Sequence, residues 1–345
     1  MALSNGLAQM RDRLGQAHFP ICRGVWTRHS RHMPKGTQCF HEIFSYCCKK
    51  HLRNIFVRYD AGTLTMKREN EEGTYGHPGS SSIPMIRDIW QRGLEVLQPS
   101  AAELERGLAL HCDALVLDTF GFLPMGWNTR TTQAWNALVD ENIGAERFHF
   151  EGPLLRALAP TFDEASGAEF LEAIRVSGLN GMVHTAAEGK SREEDVKRLA
   201  ASAHLSGWFG DRVTQIRRPD DVRRIAKSGA FGVAFSVNGP PCPGHLNSLE
   251  EEIQWLPAWY HLGVRLMHLS YNRRNAVATG CAERNDGGLS ELGYEFIGAM
   301  NRVGIIVDVP HSSENTSLQA AETSTKPIMA SHVCCKAVYD HMRNK

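Results

Sequence analysis

The chain predicts an α/β fold built on a parallel sheet, and three observations carry that reading. Short, almost uninterrupted apolar runs recur, as strands buried on both faces require. Amphipathic helices that stop at glycine or proline separate the runs. Polar or ionisable residues follow the runs directly. A doubly wound sheet and a (β/α)8 barrel both satisfy this alternation, and both place chemistry at the carboxyl ends of the strands.

The patterned text begins after the loop Gly76-His77-Pro78-Gly79. Ser100 and Glu103 form a capping box, with the serine as N-cap, and Leu104, Leu108 and His111 share the face of the helix that follows. Ala114 to Asp118 reads as a buried strand ending in a carboxylate, and Gly181 to His184 as the next. Pro219 opens a helix that stops before Gly229 and feeds a strand at 230–237. The box Ser248-Leu249-Glu250-Glu251 opens a helix carrying Ile253, Leu256, Trp259 and Tyr260, which stops at Gly263 before 264–269. Leu292, Phe296, Met300 and Val303 line one face of a helix over 290–303, which gives way at Gly304 to 305–309. A last helix begins near Glu314 and precedes the strand Ile328 to Ser331. Strand units are therefore expected at 114, 181, 230, 264, 305 and 328.

Composition narrows the class. The 345 residues are 42% hydrophobic, with 38 Lys and Arg balanced by 38 Asp and Glu, which is globular and excludes fibrous or wholly disordered chains. No apolar run reaches the about 18 residues a membrane helix needs, and the N-terminus lacks a secretory layout, so a cytoplasmic chain without a membrane partner is expected. Nine Cys without a CxxC argue against a disulfide framework or a four-thiolate zinc site. The balanced charge is uneven along the chain: residues 1–85 hold 12 basic and 6 acidic residues without apolar periodicity. We read 1–85 as a basic, poorly ordered N-terminal extension and 86–345 as the folded domain. No G-x-G-x-x-G, P-loop or G-x-S-x-G motif occurs, which removes support for dinucleotide, nucleotide and α/β-hydrolase chemistry. Arg217, Arg218, Arg223 and Arg224 read as the solvated face of a helix, so no nucleic-acid partner is expected.

The strand-end residues are Asp118 to Phe122, His184, Asn238, Ser270-Tyr271-Asn272, Asp308 with His311, and Ser331-His332. Adjacent barrel strands lie about 4.8 Å apart, so the matched positions of His311 and His332 let their imidazoles converge on one ion.

The stretch from Gly263 to Asn344 resembles the renal (membrane) dipeptidase family, peptidase family M19, of the amidohydrolase-like (β/α)8 barrels. The matching blocks are Gly263 to Asn272, Gly287-Gly288-Leu289-Ser290, Met300 to His311, Lys326 to His332, and His341-Met342-Arg343-Asn344. A weaker resemblance runs back to about residue 86. It implies a metallodipeptidase that uses two zinc ions and a bridging carboxylate to activate a hydroxide against the carbonyl of a dipeptide. Carried over by position, His311 and His332 match ligands of one zinc, and Arg343 matches the group that receives the substrate's terminal carboxylate. Tyr271 stands where many members place a substrate-binding histidine, so Tyr271 and Asn238 join Arg343 as substrate-binding candidates. Asp308 and Tyr271 are the candidate catalytic groups.

The departures are equally specific. Where the family reads Asp-x-His-x-Asp, Asp118-Thr119-Phe120-Gly121-Phe122 puts phenylalanine at both ligand places, and Asn238 stands where the bridging glutamate belongs. Two cations about 3.5 Å apart without a bridging anion repel severely, so one zinc at most is expected. The strand count, six of eight, leads us to expect a barrel that is incomplete at its C-terminal side. The function implied is dipeptidase-type hydrolysis of a small peptide or amide with a degraded metal site, and a homodimer is compatible with it. The alternatives are a non-catalytic or ligand-binding member of the same fold, or a single-metal amidase or lactonase.

Overall fold

The computed structural model describes residues 77–241 and 249–345. The predicted extension lies outside the described residues up to position 76, as does the N-cap Ser248.

Six parallel strands form one sheet: β1 (Leu117–Gly121), β2 (Gly181–Ala187), β3 (Val213–Gln215), β4 (Phe231–Val237), β5 (Val264–His268) and β6 (Ile306–Asp308). The order is β1-β2-β4-β5-β6, with β3 pairing β4. One edge of β4 pairs β2 along its length; the other is shared, its first half taken by β3 and its second by β5. Among the described residues ten α-helices connect or flank these strands: α1 (Pro84–Leu97), α2 (Ala101–Asp113), α3 (Thr129–Asp140), α4 (Ala145–Leu158), α5 (Glu164–Ser177), α6 (Arg192–Trp208), α7 (Pro219–Ser228), α8 (Leu249–His261), α9 (Glu291–Val303) and α10 (Glu314–Thr323). This is the barrel type of α/β fold, present among the described residues as a partial (β/α) barrel. Among those residues no helix is long and apolar enough to cross a membrane.

Local chemistry accounts for the elements. Ser100 accepts a hydrogen bond from the Glu103 amide while the Glu103 carboxylate accepts from the Ser100 amide, the reciprocal cap that opens α2. At α7 Asp221 accepts from the amides of Arg217 and Arg218, and Gly229, at φ 73°, ends the helix in the left-handed conformation that costs glycine nothing. Ser290 caps α9, which buries Leu292, Phe296 and Met300 as its spacing predicts. Every residue of β4 is buried, and Phe235, Val264, Met267, Trp259 and Met300 meet in the core.

Three strand expectations need correction. The first strand begins at Leu117, because Ala114 is still the C-cap of α2. The stretch at 328 is not a strand: it adds a single parallel bridge, Asp308 to Met329, with Met329 N donating to Val307 O. The sixth strand is instead β3, whose three residues are too few to show a period in sequence.

His184 on β2 is buried, and its Nδ1 accepts from the Leu123 amide at 3.2 Å. Burial pushes its pKa down to about 4. In the unfolded chain imidazole takes its proton near pH 6.5, so the stability this neutral group contributes is present above 6.5 and is lost as pH falls toward 4. Asp195, pushed up to about 7 chiefly by burial, acts in the opposite sense over the same window, so comparison with a variant isolates the histidine. We expect the excess of wild-type stability over His184→Gln, from urea melts, to shrink by about 3 kcal/mol between pH 6.5 and 4. A difference constant with pH would contradict a neutral buried imidazole.

Candidate metal and active site

The carboxyl ends of β1, β5 and β6 and the segment after Met329 converge. Beyond Asp308 the chain turns at His311, which has φ 63°, and facing it Asn272 has φ 61°. Left-handed backbone is uncommon outside glycine, though His and Asn tolerate it better than most. The pair is held by its neighbours: Cys281 N donates to His311 O at 2.8 Å and Ala282 N to Asn272 O at 2.9 Å.

Outer hydrogen bonds orient both imidazoles. His311 Nδ1 lies 2.7 Å from Asn272 Oδ1, an acceptor, so this ring carries its proton on Nδ1 and leaves the Nε2 lone pair outward. Ser331 Oγ donates to Asp308 Oδ2 at 2.6 Å, so it can only accept from His332 Nδ1 at 2.9 Å, and His332 Nε2 is likewise left with a lone pair. The two Nε2 atoms face each other at 3.0 Å. Burial, then the charges of Arg343, His268 and His332, push His311 down to about 3; burial, then His268 and Arg343, push His332 down to about 4. Both rings are therefore neutral at pH 7. A tetrahedral metal about 2.0–2.1 Å from each nitrogen would set them about 3.3–3.4 Å apart, a few tenths of an ångström wider than the 3.0 Å between these two atoms.

The other candidates divide. Tyr271 is 47% exposed and stacks on His311, with ring centroids 4.1 Å apart. Arg343 Nη2 donates to His311 Nε2 at 3.1 Å, while its Nη1 is buried without a hydrogen-bond partner. Asp308 is 1% exposed, and each of its oxygens accepts from Ser331. Asn238 sits apart at the end of β4, donating to Glu188 Oε2 at 2.9 Å, with its own Oδ1 lacking a partner. The two phenylalanines diverge. Phe120 stacks on His332 with centroids 3.5 Å apart, whereas Phe122 is 52% exposed and lines a cleft of about 80 Å3 with Met125, His184 and Arg198.

His268 is the residue that sequence reasoning missed. It is fully buried, its Nε2 is 3.1 Å from Asp308 Oδ2, and its ring lies between Phe120 and His311 with centroid distances of 6.0 and 5.7 Å. A signal was available: β5 and β6 pair in register with His268 opposite Asp308, so two ionisable residues end neighbouring strands at one level.

Comparison with known proteins bears on this geometry. A family model for membrane dipeptidase, peptidase family M19, matches residues 180–344. Among curated proteins the chain is similar to the dipeptidase tcpJ of Claviceps purpurea, at 30% identity over 156 residues, which is 45% of this chain and 35% of the relative. It is also similar to an uncharacterized dipeptidase of Schizosaccharomyces pombe, at 41% identity over 91 residues, covering 26% of this chain and 22% of the relative. The chain thus spans about a third or less of the length of these relatives. Among solved structures it is similar to an amidohydrolase from Pseudomonas aeruginosa (TM-score 0.48, 26% identity, 69% of this chain and 58% of that one). A second is the probable dipeptidase PvdM of the same organism (TM-score 0.49, 23% identity, 70% and 57%). The span matched by the membrane dipeptidase model, residues 180–344, contains His268, Asp308, His311, His332 and Arg343, and over that span the chain is similar to the membrane dipeptidase family, peptidase family M19.

Proposed function

We propose that the chain is a metallodipeptidase-type hydrolase that acts on small peptide or amide substrates with a single zinc ion at His311 and His332. The observation that carries this reading is the approach of the two Nε2 atoms to 3.0 Å, each ring fixed from behind by an oxygen on Nδ1, with Arg343 Nη2 also within 3.1 Å of His311 Nε2. Zinc held there would polarise a scissile carbonyl and bring the pKa of a coordinated water toward about 7. The residues at the family's other ligand positions do not fit a second ion. Phenylalanine offers no donor at 120 or 122, and Asn238 is neutral and engaged by Glu188. No step is assigned to a second metal.

The chain's own groups supply the rest. Arg343 presents an unsatisfied Nη1 beside the histidines, and a guanidinium receives a carboxylate through two parallel hydrogen bonds. The Tyr271 phenol, half-exposed over His311, is placed to donate to a carbonyl oxygen as it gains negative charge. Asp308, with both oxygens taken by Ser331, orients His332 and is not offered to solvent as a base.

The test is hydrolysis of a panel of dipeptides and their C-terminal amides, with and without a chelator. We expect chelator-sensitive turnover, restored by Zn2+, with the free carboxylates preferred over the amides. Absence of chelator-sensitive turnover, together with less than about 0.2 Zn per chain after loading, would sink the reading.

A further inference from the structure

We propose that His268, Asp308 and His332 together form the binding site of this single divalent ion, so that a histidine from inside β5 replaces ligands lost at Phe120, Phe122 and Asn238. The inference rests on the reading that a metal binds at His332, and it names that metal's remaining protein ligands. A donor atom from each of the three residues lies within 4.8 Å of the other two, with His268 and Asp308 buried and His332 partly buried. Three observations point to a ligand and not to structural packing.

The first is that neither ring nitrogen of His268 completes a hydrogen bond, although the residue is fully buried. A buried polar group left unpaired costs about 1–3 kcal/mol; Nδ1 is in that condition, while the neighbour of Nε2 is the Asp308 carboxylate at 3.1 Å. The second concerns Asp308. It is 1% exposed, and among the described residues its ion-pair partner is His268, with Nε2 3.1 Å from Oδ2. A carboxylate at that depth requires compensating positive charge, which a divalent ion would supply. The third is the surrounding wall. Phe120 stacks on His332 and stands 6.0 Å from His268, so the phenylalanine at the lost ligand position puts an apolar ring against both histidines. In such a medium an ion pair is strengthened relative to water. His311, the ion's other ligand in the proposed function, adjoins this set, its Nε2 3.0 Å from that of His332 and 3.1 Å from Arg343 Nη2.

The experiment titrates the full chain with ZnCl2 and, separately, CoCl2 by calorimetry, for wild type, His268→Gln and His311→Gln. We expect His268→Gln to weaken binding by more than the about 10–100-fold that loss of an outer partner costs. Equal affinity for wild type and His268→Gln would overturn the inference while leaving metal binding at His332 intact; failure of wild type to bind either ion would overturn both. Because a buried substitution can unfold the chain, the same question is put to wild type alone by following imidazole 15N resonances during zinc addition. His268 should move together with His332. Movement confined to His311 and His332 would contradict the inference.

Discussion

His332→Gln is expected to abolish the proposed zinc binding, with a loss of at least about 100-fold, while the fold survives. His332 belongs to both donor sets: its Nε2 faces His311 at 3.0 Å, and it is a member of the cluster with His268 and Asp308. Removal of His268 or His311 leaves His332 with another donor beside it, whereas removal of His332 takes the shared member from both sets and leaves only His268 with Asp308. Glutamine keeps polar character where Ser331 must be served, and His332 is only partly buried, so the stability cost is about 1 kcal/mol. The check is calorimetric titration beside a thermal melt. A melt close to wild type with binding retained within about threefold would contradict the assignment of His332 as the shared ligand.

Gly280→Ala is expected to be the most damaging substitution away from the histidines. A Cβ at this buried position would stand 2.2 Å from the Asn272 carbonyl carbon and 2.5 Å from the Arg273 nitrogen, both backbone atoms that cannot swing aside. Gly280 bridges to Ser312, and its neighbour Cys281 donates to His311 O, so the residue is the spacer between the Asn272 turn and the His311 turn. Forcing them apart breaks the Asn272 contact that fixes the His311 tautomer. We expect a loss of about 3 kcal/mol or more in unfolding free energy, with weaker zinc binding in whatever folds. A serine at 280 should be no better, since the clash is at Cβ. Wild-type stability in Gly280→Ala would mean the two turns are not in contact as described.

How much of this was legible in the sequence depended on where the residues stand. The convergence of His311 and His332 was readable because each follows an apolar run at a strand end. Phe120 and Phe122 were readable as the residues at the two spaced positions after the first strand. His268 was not. Inside Leu266-Met267-His268-Leu269 it sits in a strand buried on both faces, where every position reads as core and no alternation marks the one that faces the site. Its role emerges only from the pairing of β5 with β6, a long-range register that a single sequence does not display. Helices failed to stand out where caps or amphipathicity were weak: α4 lacks a side-chain cap and carries Pro153 internally. The divergence of the two phenylalanines was equally invisible, because it depends on the turn of β1 over His332 and not on residue type.

The central claim is that this chain has remade a two-metal centre into a one-metal centre. The most direct measurement is the number of zinc ions per folded chain, by native mass spectrometry after loading with excess Zn2+ and removal of loosely held metal. The account predicts about one, falling to none in His332→Gln. Two tightly held ions per chain, or one that persists in His332→Gln, would contradict it.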